Sequence, residues 1–157
     1  MERAKPKFER LRTIYLNTLE AMKTNPQTYC RGLAPSPDVS AGETDQLKAR
    51  ADAALNNITF TLSYEEAARD CDLVIEAIAE NPDEKIAFYT KLAKHLPKKT
   101  IIATNSSTML PSAFAQHAGR PEKYLALHFA NEIWRNNTAE VMGHPETSKQ
   151  AYDDVAE

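Results

Sequence analysis

Residues 73–85 read LVIEAIAENPDEK, an apolar run followed at once by the signature of a helix start. The first six residues are almost all apolar, which is typical of a strand in a parallel sheet that is covered on both faces. Asn81 can cap a helix, Pro82 suits the first helical position, and the two acids after it favour the positive end of the helix dipole. The stretch therefore predicts a strand that leads directly into a helix.

Short apolar runs alternate with helical patterns on both sides of this stretch. Further strands are predicted at residues 58–61, 100–104, 124–129 and 139–142, and further helices near residues 63 and 111–118. The alternation indicates an α/β fold with a largely parallel sheet. The last two strands are joined by a short connection, and we expect them to form an antiparallel hairpin at the sheet edge.

Two helices are predicted before the alternating region. Apolar residues at helical spacing over 7–24 indicate the first, and Asn25-Pro26 ends it. Ser40 and Glu43 have the spacing of a capping box that would open the second helix, which runs to residue 57. We expect a helical segment over 1–57, an α/β part over 58–146, and the start of a further helical segment over 147–157.

The composition excludes several classes of protein. The chain has 157 residues, of which 42% are hydrophobic and 26% charged, which is the balance of a globular domain. Its net charge of -3 gives no overall attraction for nucleic acid or for an anionic membrane. Cys30 and Cys71 form neither a disulfide framework nor a C-x-x-C motif, which fits a reduced, cytoplasmic setting. The first residues lack the pattern of a signal peptide, and no apolar run is long enough to cross a bilayer.

Polar residues follow three of the predicted strands at their carboxyl ends, where open α/β sheets bind their ligands. These residues are Glu80, Asn105, Ser107 and His128, with Lys85 one turn into the helix after the first strand. Taken singly, each has a structural explanation as a turn residue or a satisfied strand side chain. Lys85 could equally be a solvated surface lysine. No metal-ligand spacing occurs among the histidines, cysteines and acids, so we expect no metal site.

Four ordered motifs together resemble one family. DLVIEAIAEN, TNSS, LHFAN and AEVM are similar, in that order, to stretches that read LVIEAIxEN, SNTSS, GLHFFNP and LVEVI in the 3-hydroxyacyl-CoA dehydrogenases. The resemblance covers roughly residues 58–150. It implies an NAD-dependent oxidoreductase of fatty acid metabolism that interconverts (S)-3-hydroxyacyl-CoA and 3-ketoacyl-CoA. It also implies an acyl-CoA substrate and a homo-oligomeric enzyme.

The resemblance also implies roles for individual residues. The family's catalytic pair is a histidine and a glutamate twelve positions later, which His128 and Glu140 match. An imidazole, with an unperturbed pKa of about 6.5, suits removal of a hydroxyl proton near neutral pH. Glu140 would accept the other ring N–H and stabilise the imidazolium. The remaining implied roles are a substrate hydrogen bond from Ser107, support of the histidine region by Asn131, and contacts near the nicotinamide and its ribose by Glu80, Lys85 and Asn105.

The chain departs from the family pattern in two places. Ala130 stands where the family has its second aromatic residue and Glu132 where it has the proline of its Asn-Pro, and these changes could reshape the acyl end of the pocket. The chain's four glycines are Gly32, Gly42, Gly119 and Gly143. They do not form the Gly-x-Gly-x-x-Gly pattern that lets a pyrophosphate approach a helix N-terminus. We therefore expect an incomplete Rossmann-type doubly wound sheet that lacks the first βαβ unit, with a terminal antiparallel hairpin and an unpaired apolar edge at 73–78.

Two other functions fit the same residues. The first is a nonenzymatic self-association module or inactive remnant, in which the apolar strand edge pairs with a second chain. The second is a dehydrogenase of a hydroxy acid that is not linked to CoA, because the His-Glu pair reports the redox step rather than the acyl carrier. Without the glycine motif, we expect the 157 residues to be a truncated part of a longer dehydrogenase, the full-length protein, and to bind NAD weakly or not at all on their own.

Overall fold

A computed structural model describes residues 5–157, and the chain divides into two compact units. The helical unit consists of two stretches, the described residues up to Phe60 and Ala130–Thr138. The sheet unit consists of Thr61–Phe129 and Ala139–Glu157. In chain order the elements are α1 (Lys5–Met22), α2 (Ala41–Asn56), α3 (Tyr64–Ala68), β1 (Leu73–Glu76), α4 (Pro82–Leu92), β2 (Ile101–Thr104), β3 (Tyr124–Phe129), α5 (Ile133–Asn136), β4 (Ala139–Met142) and α6 (Lys149–Ala156), with 3-10 turns at Pro26–Thr28, Pro111–Ala113 and Pro121–Lys123.

The helical unit contains α1 and α2, the two helices predicted before the alternating region. A small apolar core of Leu19, Met22 and Ala34 lies in this unit. The capping box at the start of α2 is confirmed. The Ser40 hydroxyl accepts from the Glu43 N–H at 3.2 Å, and the Glu43 carboxylate accepts from the Ser40 N–H at 2.9 Å. This exchange satisfies two backbone donors that a helix start otherwise leaves unpaired.

The four strands form one sheet in the order β1-β2-β3-β4. β1 pairs with β2 and β2 with β3 in parallel, and β3 pairs with β4 antiparallel. The predicted α/β class with a terminal antiparallel hairpin is confirmed. Within residues 5–157, β1 lies at the opposite edge, where Leu73 and Ile75 are 37% and 46% exposed. The predicted apolar strand edge is therefore present.

Two predicted elements are wrong. Residues 58–61 have no regular secondary structure and pair with no strand in the described part of the chain, and a strand requires a hydrogen-bonded neighbour. Residues 111–118 form a single 3-10 turn, Pro111–Ala113, and then irregular turns instead of an α-helix. The segment between Pro111 and Gly119, whose φ is +70°, is too short for its hydrogen bonds to offset the cost of helix nucleation.

The core of the sheet unit fills one face of the sheet. Its largest members come from α4, from the segment after β2 and from the strands themselves: Tyr89, Leu92, Phe114, Ile102 and Tyr124. In the part of the chain that the structure describes, no helix is both long and apolar enough to cross a membrane.

Candidate active site

The carboxyl ends of the three parallel strands meet at one level of the sheet. In register, Thr104 is the partner of Glu76 on one side and of Ala126 on the other. The polar residues that follow β1 and β2, and the histidine near the end of β3, are therefore carried to the same edge. The sheet unit contains all of the predicted site residues except Asn131.

His128 and Glu140 are direct partners across the antiparallel hairpin. His128 Nδ1 lies 3.0 Å from Glu140 Oε2. An ionised carboxylate can only accept, so Nδ1 carries the hydrogen and Nε2 is left with a free lone pair. The imidazole is thus oriented as a proton acceptor through Nε2.

Ser107 faces that lone pair from the turn after β2. Its Oγ lies 3.1 Å from His128 Nε2. The turn is tied to β3, because the Asn105 side-chain oxygen accepts from the backbone N–H of Phe129 at 2.9 Å. The sequence-predicted residues Asn105 and Ser107 therefore lie beside His128 for a local reason: Asn105 anchors the turn that carries Ser107.

Glu80 reaches from the end of β1 to the same turn. Its Oε2 accepts from Ser106 Oγ at 2.7 Å and from Thr108 Oγ1 at 3.3 Å. The Ser106 hydroxyl in turn accepts from the backbone N–H of Met109 at 3.0 Å. The Glu80 side chain is 43% exposed, so its carboxylate is fixed by the turn and still open to solvent.

Lys85 is fully buried, so the alternative of a solvated surface lysine is wrong. Helix α4 begins where the sequence predicts, since the Asn81 side chain accepts from two backbone N–H groups of its first turn. This start directs Lys85 inward, where Nζ lies 2.8 and 2.9 Å from the two carboxylate oxygens of Glu76. Glu80 Oε1 lies 3.7 Å from the same ammonium.

Sequence reasoning missed the buried carboxylate of Glu76. The group is 1% exposed and accepts hydrogen bonds from Lys85, from Tyr89 OH at 2.6 Å and from Thr104 Oγ1 at 2.8 Å. Burial alone would raise the pKa of Glu76, but these hydrogen bonds, led by that from Lys85, bring it below its ordinary value of 4.5. The available signal was a single charge inside the apolar run of β1.

Two tyrosines extend this network into the core. Tyr124 OH donates to Tyr89 OH at 2.8 Å. Burial raises the pKa of Tyr124 to about 12 and raises that of Tyr89 well above its ordinary value. Both phenols are therefore neutral hydrogen-bond donors at any physiological pH.

Asn131 belongs to the helical unit, in the connection between β3 and β4. Its backbone carbonyl accepts a hydrogen bond from the Asn136 side chain. Glu132 and Asn137, which flank α5, have positive φ values of 53° and 44°. Such values are uncommon outside glycine. Among the described residues, no group of three or more histidine, cysteine or acidic side chains is placed to hold a metal ion.

Sequence similarity to known proteins identifies the family of this chain. The family model for the 3-hydroxyacyl-CoA dehydrogenase NAD binding domain matches residues 19–157. The fatty acid oxidation complex subunit alpha of Acinetobacter baumannii is 38% identical over 97 residues, which are 62% of this chain and 13% of that protein. The corresponding subunit of Pseudomonas syringae is 38% identical over 98 residues and is covered to 14%.

Solved structures agree in fold. A diketoreductase, described as acting on dicarbonyl compounds, has a TM-score of 0.78 and 41% identity, with 99% of this chain and 46% of that chain covered. The (S)-3-hydroxybutyryl-CoA dehydrogenase of Ralstonia eutropha has a TM-score of 0.60 and 28% identity, with 73% and 43% covered. The chain thus spans less than half the length of these relatives. It belongs to the family of 3-hydroxyacyl-CoA dehydrogenase NAD-binding domains, whose members are NAD-dependent oxidoreductases.

Proposed function

We propose that this chain carries the proton-transfer site of an NAD-dependent dehydrogenase that interconverts (S)-3-hydroxyacyl-CoA and 3-ketoacyl-CoA. One observation carries the proposal: Ser107 Oγ, the His128 ring and Glu140 are joined in a row by contacts of 3.1 and 3.0 Å. A base oriented by a carboxylate, with a hydroxyl beside its free nitrogen, is the arrangement that alcohol oxidation needs.

In the oxidative direction, His128 Nε2 takes the proton of the substrate hydroxyl. Bound NAD would supply the acceptor for the hydride of the carbinol carbon, so that the alcohol loses two electrons and two hydrogens in all and becomes a ketone. Glu140 stabilises the imidazolium that forms, and Ser107 hydrogen-bonds the substrate oxygen. In the reductive direction the charged ring returns the proton to the ketone oxygen.

The residues of this chain fit the nicotinamide end of the cofactor. Glu80 and Asn105 stand at the carboxyl ends of β1 and β2, beside Ser107, where a ribose hydroxyl and a carboxamide would find an acceptor and a donor. Lys85 is buried, so we expect it to act on the cofactor through Glu80. The glycines do not supply a pyrophosphate cradle: Gly32 is packed against the backbone of Trp134, and none belongs to a Gly-x-Gly-x-x-Gly pattern.

Consumption of NADH by the full-length protein tests the proposal. We expect turnover with acetoacetyl-CoA that is lost in His128→Asn. Turnover that survives this substitution would contradict the assignment of the base. A full-length protein without NADH turnover on any ketone would favour the nonenzymatic self-association module instead.

A dicarbonyl or hydroxy acid that is not linked to CoA is the second candidate substrate. The likeness to a diketoreductase at 41% identity over 99% of the chain favours it. The departures from the family pattern at Ala130 and Glu132, after the proposed catalytic histidine, agree with a changed pocket. Free diketo esters offered beside acetoacetyl-CoA in the same assay decide between the two, because the preferred substrate has the higher kcat/KM.

The proposal includes a homo-oligomer in the cytoplasm, without a nucleic acid or membrane partner. The two free thiols, Cys30 and Cys71, support a reducing compartment. The exposed apolar edge of β1 supports association with a further chain or segment. Light scattering of the full-length protein tests the oligomer.

A further inference from the structure

A continuous row of polar groups runs from the core of the sheet unit to the candidate base. Lys85 Nζ donates a hydrogen bond to Glu76 Oε1 at 2.8 Å and lies at ion-pair distance, 3.7 Å, from Glu80 Oε1. Glu80 Oε2 holds Ser106 Oγ at 2.7 Å, and the next residue, Ser107, meets His128. Each link therefore lies within reach of the next, from β1 to β3.

The buried end of this row is not explained by stability alone. Glu76 and Lys85 are 1% and 0% exposed, and removing two charges from water has a desolvation cost that their attraction only offsets. Apolar residues of similar size could fill the same space with equal or greater stability. Because the pair lies at the strand ends, close to the turn that carries Ser107, it is placed to orient the groups there.

Glu76 is well suited to orient Lys85. Its carboxylate is held by Tyr89 OH at 2.6 Å, by Thr104 Oγ1 at 2.8 Å and by the backbone N–H of Ile78 at 2.7 Å. These donors come from α4, from β2 and from the backbone after β1, so the carboxylate has little freedom to rotate. The ammonium of Lys85 donates to both carboxylate oxygens of Glu76 and is thereby fixed near Glu80.

We propose that Glu76 and Lys85 are positioning residues: Lys85, held by Glu76, fixes Glu80, and Glu80 fixes the turn that presents Ser107 to His128. The catalytic consequence rests on the proposed function. The structural consequence does not, because it concerns the turn itself and can be measured without a substrate.

The double variant Glu76→Gln/Lys85→Met tests the structural step in the 157-residue chain. It removes both charges together and nearly preserves volume, so neither partner is left as an unpaired buried charge. We expect hydrogen exchange at the Met109 amide, which donates to Ser106 Oγ, to accelerate about tenfold, because the acceptor is no longer fixed. We also expect the His128 side-chain NMR signal to move. Unchanged exchange and an unmoved signal in the folded double variant would overturn the proposal.

A second variant covers the case in which the double variant does not fold. Glu80→Ala removes a carboxylate that is 43% exposed, so the core is untouched, and the same two changes are expected. Glu84→Ala is its matched control, since it removes an exposed carboxylate from the first turn of α4, where the backbone N–H and not the carboxylate takes part in the cap. If Glu80→Ala and Glu84→Ala give the same Met109 exchange and the same His128 signal, the proposal fails.

Turnover of the full-length protein tests the catalytic step. We expect the double variant to keep its melting temperature and to lose kcat about tenfold or more, with a smaller change in KM for the ketone. If the double variant is stable and retains the full kcat, the pair has only a structural role and the proposal fails. Absence of turnover in the wild-type protein would remove the proposed function, while the exchange and NMR results would still decide the positioning role.

Discussion

Gly32→Ala is expected to loosen the connection between β3 and β4 within the helical unit. The Gly32 N–H donates to the Trp134 carbonyl at 2.8 Å. A Cβ at this position would lie 2.5 Å from Trp134 Cα, 2.5 Å from its carbonyl oxygen and 2.7 Å from its carbonyl carbon. These are backbone atoms, which cannot move aside as a flexible side chain would. The added methyl group must therefore push the two segments apart.

The magnitude follows from two terms. Overpacking by a methyl group costs about 1–3 kcal/mol, and the loss of a hydrogen bond about 1 kcal/mol. We therefore expect Gly32→Ala to lower the free energy of unfolding by about 2–4 kcal/mol, which is a fall in Tm of roughly 5–15 °C for a chain of this size.

Trp134 is the only tryptophan in the chain, so tryptophan fluorescence reports the surroundings of this one residue. Its ring packs against Tyr15 with a centroid distance of 5.5 Å. We expect the emission to shift to longer wavelength in Gly32→Ala, and urea unfolding followed at the same wavelength measures the loss of stability. The matched control is Gly42→Ala, whose Cβ meets nothing within 4 Å and which lies in the first turn of α2. It should change stability by no more than about 1 kcal/mol, in the stabilising direction. Equal stability and equal emission in the two variants would refute the reasoning.

Three further predictions concern the candidate site. In an NADH-consumption assay, His128→Asn should reduce kcat of the full-length protein about 100- to 10,000-fold, and Glu140→Gln by a smaller factor. Unchanged rates would rule out a role for these residues in proton transfer. Because the folded-state pKa of Glu76 lies below its ordinary value of 4.5, its contribution to stability is complete above that pH and is lost as pH falls through the folded pKa. Thermal unfolding between about pH 5 and 2 should therefore show a steeper loss for the wild type than for Glu76→Gln/Lys85→Met, and parallel curves would contradict this. NADH fluorescence should show weak or no binding to the 157-residue chain alone, and a micromolar Kd would overturn that expectation.

The parts of the fold that the sequence predicted correctly carry their own local signals. The capping box at Ser40, the cap at Asn81 and the bounds of β3 and β4 depend on residues that are close in the chain. The strand predicted at residues 58–61 failed because apolar β-branched content is only half of what a strand requires. The other half is a partner for its backbone groups, which no local pattern can show.

The candidate site divides in the same way. The pair of His128 and Glu140 could be predicted from the family resemblance, and the register of the antiparallel hairpin then makes the two residues direct partners. The burial of Lys85 could not be predicted, because it depends on a tertiary partner. That partner is the Glu76 carboxylate on the neighbouring strand, which two hydroxyl groups also hold. A lysine one turn into a helix is exposed by default, and only its tertiary partners make burial possible.

Glu76 shows how such a partner could be recognised in other sequences. A charge inside an apolar strand is costly unless a counter-charge and hydrogen-bond donors reach it. In LVIEAIAENPDEK the acid that ends β1 is followed by a strand-to-helix turn, and the turn returns the chain so that Lys85, in the first turns of α4, lies over it. The same geometry places Glu80 at the mouth of the turn, next to both the ammonium and Ser106. In this chain the acid that ends the strand and the lysine nine residues later form a buried ion pair at the strand ends, and Glu80, between them in sequence, is its exposed contact.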